Sequence, residues 1–364
     1  MKFEHQFIET DPGFDGWGAV VVADFDGDGR PEFATGGKGG GIYCLYDFDP
    51  ERGEWDRSVI SDAFSPNVGA AALDADGDGR LEIVCGEWGS RLLWFGQSNG
   101  GWDCRTVGDG LVDPHDVLSG DVNGDGRDEV IVREKDGRLV IYYPSSSELP
   151  WRRQVVASDL SGDGTCLASL ALPSVVDIVT NMGWFENVNG DGTEWVRHPL
   201  IPEDLGWHPE SRIAVADVDG DGQLEVVITE SEIGQARLAI LKAKDKNHAW
   251  RSRVLIDRDQ DMRAFHTLQL VDLDGDGELE IFTAEMENGK TDGILAKPKW
   301  MALSRTPGDA WISEVVFDSN LGTHSAGVGD FDGDGKLDLV GKVWRANAVN
   351  GNGGRNHIDF LRQV

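Results

Sequence analysis

The sequence is poor in cysteine and poor in positive charge. Four cysteines occur, Cys44, Cys85, Cys104 and Cys166, and no two form a C-x-x-C pair. That scatter argues against a disulfide framework or a thiolate zinc site and leaves small hydrophobic side chains. Lys and Arg total 33 against 65 Asp and Glu, a formal net charge of −32. So acidic a surface repels nucleic acid phosphates and anionic lipid, and neither is expected as a partner. There is no apolar run of about 18 residues of the kind that spans a bilayer. The N-terminus MKFEHQF has no apolar core of a leader peptide. The expected compartment is therefore open: cytoplasmic as the chain reads, periplasmic or secreted if a leader precedes it. Also missing are a G-x-S-x-G elbow, a P-loop and a dinucleotide fingerprint, which leaves no support for a serine hydrolase, kinase or nicotinamide enzyme.

What the chain has in excess is glycine, 48 in 364 residues. That is too many for a helical protein and suits a turn-rich β fold. An apolar content of 40% and 13 Trp exclude global disorder. One pattern dominates: Asp-x-Asp/Asn-Gly-Asp-Gly-x-x-Glu/Asp between short apolar runs. It begins at Asp24, Asp74, Asp121, Asp217, Asp272 and Asp330, at spacings of 50, 47, 96, 55 and 58. The gap of 96 spans two periods. The unit inside it, residues 166–185, keeps both apolar strands but has shrunk its loop to Pro173-Ser174-Val175. Seven units follow, and a period near 50 residues means blades or a solenoid.

A Trp opens the last strand of six units: Trp55, Trp102, Trp151, Trp195, Trp250 and Trp311. The seventh unit ends without one, while FEHQFI at Phe3–Ile8 matches WDRSVI at Trp55–Ile60. The N-terminal strand is thus expected to complete the last blade and close a ring, as a propeller requires and a solenoid does not. The expectation is a single all-β domain over residues 1–364, a seven-bladed β-propeller. Two look-alike stretches, from Asp159 and from Asn187, are taken as ordinary polar turns.

Positions 1, 3, 5 and 9 of each loop carry oxygen ligands, and Gly at 4 and 6 lets the chain curl. This resembles the first half of an EF-hand loop, built for a hard cation with six or more oxygens. The expected calcium ligands are Asp24, Asp26, Asp28 and Glu32; Asp74, Asp76, Asp78 and Glu82; Asp121, Asn123, Asp125 and Glu129. They continue with Asp217, Asp219, Asp221 and Glu225; Asp272, Asp274, Asp276 and Glu280; Asp330, Asp332, Asp334 and Asp338. About six calcium ions would lower the magnitude of the charge from −32 to −20.

The apolar strand, D-x-D-G-D-G and x-L-E/D-I/V unit resembles the FG-GAP/VCBS repeat family. That resemblance implies a calcium-loaded propeller in which the metal is structural. It implies little about activity, because one fold hosts many.

Each acidic loop joins one strand to the next, so the strand ends opposite the loops must meet on the other face. Six residues before each loop come Gly18, Val68, His115, Ser211, His266 and His324. His208 lies three residues ahead of Ser211. The second strand ends on Gly37, Glu87, Glu134, Glu230, Glu285 and Val343, with Arg133 and Lys342 one residue earlier in their units. Trp17, Trp88, Trp344 and Arg345 are nearby, with Lys38, Asn67, Arg212, Asn356 and His357 as weaker candidates. His5, His198 and His248 are expected on outer strands or turns. The expected result is a His/Glu-lined central pocket. His115, His208, His266, His324, Glu230, Glu285, Arg133 and Lys342 are its candidate catalytic groups. Glu87, Trp88, Glu134, Trp344, Arg345 and Trp17 are its candidate substrate contacts. His115, His266 and His324 are also candidate ligands for one Zn²⁺, Mn²⁺, Fe²⁺ or Ni²⁺.

Such a cluster suits proton abstraction next to a carbonyl or carboxylate followed by β-elimination. Within the repeat group the chain is similar to the propeller of aldos-2-ulose dehydratases and to propeller polysaccharide lyases, on the blade starts His115-Asp116, His266-Thr267 and His324-Ser325. That similarity implies a sugar or oligosaccharide substrate. Two other readings share the pocket: a non-catalytic glycan- or protein-binding propeller, and a metal-dependent keto-sugar isomerase or epimerase.

Overall fold

The computed structural model describes the chain except residues 17, 99–100, 245–248, 261, 287, 290–292, 295–296 and 347–351. At 288–289 and 293–294 it describes backbone only. Trp17 and His248 therefore lie outside the described residues. The described residues are all-β, apart from the 3-10 turns Glu203–Leu205 and Arg258–Gln260. No described helix is long and apolar enough to cross a membrane.

Seven four-stranded antiparallel sheets follow one another along the chain. The first runs Val20–Ala23, Glu32–Gly37, Ile42–Asp49 and Glu54–Ser61 from inside to outside. The other inner strands are Pro66–Leu73, Pro114–Gly120, Thr165–Ala168, Ser211–Ala216, Phe265–Val271 and Ser325–Gly329. Each touches the inner strand of the next blade, and the last touches the first. The inner strands thus surround one axis. Phe3–Glu9 pairs antiparallel with Ile358–Gln363, in register from Phe3↔Gln363 to Phe7↔Asp359. The N-terminal strand is the outer strand of blade 7, and the seven-bladed propeller is closed.

The core lies between blades. Trp94 and Tyr142 pack in the seam of blades 2 and 3, and Trp184 packs with Val226 and Ile228 between blades 4 and 5. Trp300 packs with Leu339 and Leu361 between blades 6 and 7. Each such buried side chain stabilises the seam by roughly 1.5–3 kcal/mol. Trp55 shows what the outer-strand tryptophans do. Its ring sits 5.4 Å from Phe331 and 5.2 Å from Phe360, sealing blade 1 to blade 7. Near the axis the chain runs out of room. A Cβ on Gly69 would come within 2.5 Å of the carbonyl oxygen of His115 and the amide nitrogen of Val117.

Blade 4 keeps one element of the lost acidic loop. Asp177 opens its second strand, where the other blades carry position nine. Asp177 Oδ2 accepts the amides of Leu170 and Ala171 at 2.8 and 2.9 Å. Glu129 Oε2 accepts the corresponding amides of Val122 and Asn123 in blade 3. The loop has therefore not shrunk to Pro173-Ser174-Val175 as expected: Ala168 pairs with Asp177 over the same interval as Gly120 with Glu129, and only the acidic residues ahead of Asp177 are lost.

Candidate functional site

The acidic loops share one scaffold. In blade 2, Asp74 accepts the amides of Gly77 and Gly79 at 2.7 and 3.0 Å, and Glu82 accepts that of Ala75 at 2.7 Å. Asp78 accepts Arg80 N at 2.9 Å. These bonds turn the remaining carboxylate oxygens toward one another. Ligand atoms converge within 4.8 Å in the sets Asp24/Asp26/Asp28/Glu32, Asp74/Asp76/Asp78/Glu82, Asp217/Asp219/Glu225, Asp272/Asp274/Asp276 and Asp330/Asp332/Asp338. In blade 7, Asp330 Oδ1 and Asp338 Oδ2 are buried with no hydrogen-bond partner, while Asp332 Oδ2 meets the Arg362 guanidinium. Orphaned buried carboxylate oxygens are what a hard cation relieves, so the blade 7 loop fits Ca²⁺, and the converging sets of blades 1, 2 and 6 offer the same donors. Burial, reinforced by the neighbouring aspartates, pushes Glu32, Glu82 and Asp338 up to about 7. Glu129 is pushed up to about 7 for the same reason. In its loop the Asn123 amide nitrogen points at Asp125 and Glu129 instead.

At the opposite end of the axis is a cavity of about 290 Å³. It is lined by His115, Asp116, Arg212 and His266, by the small residues Gly69, Gly164, Thr267 and Ser325, and by apolar strand residues. Its wall is built from one repeat position. Five residues before the loop come Ala19, Gly69, Asp116, Arg212, Thr267 and Ser325, and Gly164 takes that place in blade 4. Small residues in most blades leave the space, and Asp116 and Arg212 fill part of it with charge.

His115 Nδ1 meets Asp116 Oδ1 at 2.8 Å, and its Nε2 lies 3.3 Å from Asp163 Oδ2. Both ring nitrogens thus face a carboxylate. Asp163 is fully buried and also receives Lys135 Nζ at 2.7 Å and the amide of Ser211 at 2.9 Å. Burial opposes its ionisation, but the charges of His115, Arg212 and Lys135 outweigh it and hold Asp163 well below the usual carboxylate range. Asp116 follows the same balance: burial raises it, the His115 hydrogen bond wins, and the carboxyl is held at about 2.

Asp163 corrects the reading of the Asp159 stretch as an ordinary polar turn. In blade 4, Ala168 pairs with Asp177 as Gly120 pairs with Glu129 in blade 3. Asp163 therefore holds the same repeat position as His115, His266 and His324. Aligning blade 4 by its strands would have found it. The turn needs glycine: a Cβ on Gly162 would come within 1.9 Å of the Pro209 carbonyl oxygen. The Asn187 stretch is a turn, as expected, between Gly183–Asn187 and Trp195–His198.

His266 and His324 stack with centroids 3.8 Å apart. His266 Nδ1 donates to the His324 carbonyl at 2.7 Å, and its Nε2 accepts from Arg212 Nη2 at 2.7 Å. Burial and the Arg212 charge lower the His266 pKa, and burial and His266 lower that of His324. Glu232, buried in the same wall, lies 3.6 Å from His266 Nε2. The Arg212 guanidinium thus sits where a transition metal would bind His266. Among the described residues the three histidines do not form a converging ligand set.

The structure does not bring the glutamate ring into the cavity. Glu285 accepts the amides of Arg263 and Lys299, at 2.8 and 2.9 Å, and burial pushes it up to about 7. Glu230 accepts the His208 and Arg237 amides and pairs with the Arg237 and Arg258 side chains. Glu134 accepts Val112 N and Arg138, and Glu87 pairs with Arg91. These side chains brace the connectors. Arg133 is buried and gives Nη2 to the carbonyls of Ser161 and Gly162, pinning the turn that carries Asp163. Lys342 donates to the Gly16 carbonyl. Trp88 lies under Lys38 Nζ, 3.3 Å from the ring centroid. Trp344 stands 6.4 Å from His324, with Arg345 over it at 5.5 Å. His208 accepts the Glu210 amide at Nδ1. Asn67 bonds Asp113, Asn356 bonds the Phe14 carbonyl, and His5 and His357 flank Asp359.

The fold defines the protein as a closed seven-bladed β-propeller. Comparison with known families adds one match: the FG-GAP-like repeat matches residues 272–341, from the acidic loop of blade 6 into the second strand of blade 7. With the same unit in the other blades, the chain is an FG-GAP/VCBS-type propeller. No curated protein matches it.

Proposed function

We propose that the axial cavity is the active site of a lyase or dehydratase acting on a sugar acid or keto sugar. The observation that carries this reading is His115 in the cavity wall beside Arg212, held between half-buried Asp116 and, behind the wall, the fully buried Asp163. The volume is at the small end of ligand pockets, which begin at roughly 300 Å³. Elimination needs three things there: a cation to receive a carboxylate or enolate oxygen, a base for the adjacent proton, and an acid for the leaving oxygen. Arg212 supplies the first, since its nearest carboxylate oxygen, on Asp163, is 3.8 Å away and its closest partner is a neutral ring. His115, with both ring nitrogens facing carboxylates, suits protonation of the leaving oxygen. His266, which lines the cavity and is kept neutral by burial and the Arg212 charge, suits proton removal. The electron pair of the broken C–H bond becomes the double bond as the C–O bond opens. We further propose that calcium fills acidic loops as a structural ion, far from this chemistry.

The test is a panel of uronate-containing oligosaccharides and keto sugars, followed by the ultraviolet absorbance of unsaturated product. His115→Ala should lose at least about 100-fold in turnover with unchanged circular dichroism. Ligand binding without product, lowered only modestly by His115→Ala, would overturn catalysis in favour of a binding propeller.

A further inference from the structure

The acidic loops are not equivalent, and the difference lies in the third strand of each blade. The residue paired with position nine across the sheet is Lys242 in blade 5, facing Glu225. The same register gives Asp47 in blade 1, Gly96 in blade 2, Tyr143 in blade 3, Ser304 in blade 6 and Arg362 in blade 7. Lys242 Nζ lies 2.6 Å from Asp219 Oδ2, 2.7 Å from Asp221 Oδ2 and 2.9 Å from Glu225 Oε1. The ammonium is thus in contact with carboxylates from positions 3, 5 and 9 of the loop. Its side chain is only 16% exposed. Arg362 differs: it touches Asp332 alone, and its side chain is 49% exposed.

We propose that blade 5 carries its own cation: the Lys242 ammonium occupies the 217–225 loop in place of a divalent ion. The proposal rests on the calcium reading of the other loops. A calcium ion needs those carboxylate oxygens at about 2.3–2.6 Å, which is the space the ammonium holds. Two cations cannot share it. Calcium would have to expel a tethered ammonium that three carboxylates hold and leave it without a counter-charge. A covalently tethered cation also has no dissociation step. Blade 5 then keeps its loop geometry when calcium is withdrawn, while the loops without such a residue lose their counter-ion.

The experiment counts calcium per chain by native mass spectrometry after equilibration with Ca²⁺ alone. Asp217→Asn in the otherwise unchanged protein should leave the count as it was, because the loop holds no ion. Lys242→Met, which removes the charge and keeps the stem, should bind one more Ca²⁺ than the parent. A count lowered by one in Asp217→Asn, or equal counts for Lys242→Met and the parent, overturns the proposal. If Lys242→Met fails to fold, the Asp217→Asn count decides alone. Asp74→Asn in blade 2 is the separate control. It should lose one ion, and if it does not, the calcium reading of that loop fails independently of Lys242.

Discussion

Asp163 Oδ2 lies 3.3 Å from Nε2 of His115, although the two residues belong to different blades. One buried carboxylate therefore ties the start of blade 4 to His115, Lys135 and Arg212. Asp163→Asn keeps an acceptor for the Ser211 amide but removes the charge those cations face. Removing one partner of a buried ionic network costs about 3–5 kcal/mol. We expect a loss near about 3 kcal/mol, since Lys135 can turn to solvent. Urea unfolding with an unchanged slope checks it. An unaltered midpoint would show that the network contributes nothing net.

The charged groups at the two ends of the axis titrate in opposite directions. Asp116 and Asp163 lie below their unfolded values, so their contribution is complete above about pH 4. It is lost as pH falls toward about 2, the Asp116 value. Glu32, Glu82 and Glu129 are raised to about 7 by burial, so the metal-free folded chain holds protons there that the unfolded chain has released. Stability without metal is then highest below their unfolded values, about 4.5, and falls as pH rises through 7. In chelator the melting temperature should drop between pH 5 and 8. With millimolar calcium it should not, because the ion favours the ionised form. A calcium-independent profile would show that these loops work without metal.

The sequence carried the blade plan because each blade repeats the same local chemistry. Turn glycines, alternating apolar strands and an outer tryptophan recur, and the missing tryptophan strand pointed to Phe3–Ile8. The site was less legible for a geometric reason. Glu87, Glu134, Glu230 and Glu285 end the second strand, one sheet position away from the axis; the last three meet connector amides and Glu87 pairs with Arg91. His115, Asp163, His266 and His324 share a repeat position at the start of the inner strand. Asp163 was hidden because its turn imitates the acidic loops and its blade lacks the Asp that sets the register. The stacking of His266 on His324, and the wedging of Arg212 beside them, depend on how blades lean together, which no spacing encodes.

Glu230 provides a direct test of that division. Its carboxylate receives two backbone amides and two guanidinium groups, and it is fully buried. Glu230→Gln puts an NH₂ where one of those donors points and leaves Arg237 short of charge. An unsatisfied buried donor costs about 1–3 kcal/mol, and loss of the ion pair adds to it. We expect about 3 kcal/mol of destabilisation, read by thermal unfolding. Dissection of the variant by limited proteolysis should place the first cuts in the 203–210 and 231–237 connectors. A loss of ligand binding at full stability would instead return Glu230 to the cavity.

Ring closure depends on the chain's first strand. Deleting residues 1–9 leaves Ile358–Gln363 as an exposed edge and uncovers the apolar contacts of Phe3 and Ile8. Each backbone hydrogen bond is worth about 1 kcal/mol net, so losing the ladder costs several kcal/mol before any apolar loss is counted. An unpaired edge also recruits other chains. The truncated protein should melt well below the parent and elute as oligomers in size exclusion with light scattering. A synthetic peptide of residues 1–9 added in trans should restore a monomer with parent-like melting, because it supplies the same ladder. A truncated chain that stays monomeric and melts like the parent would show that blade 7 is complete with three strands.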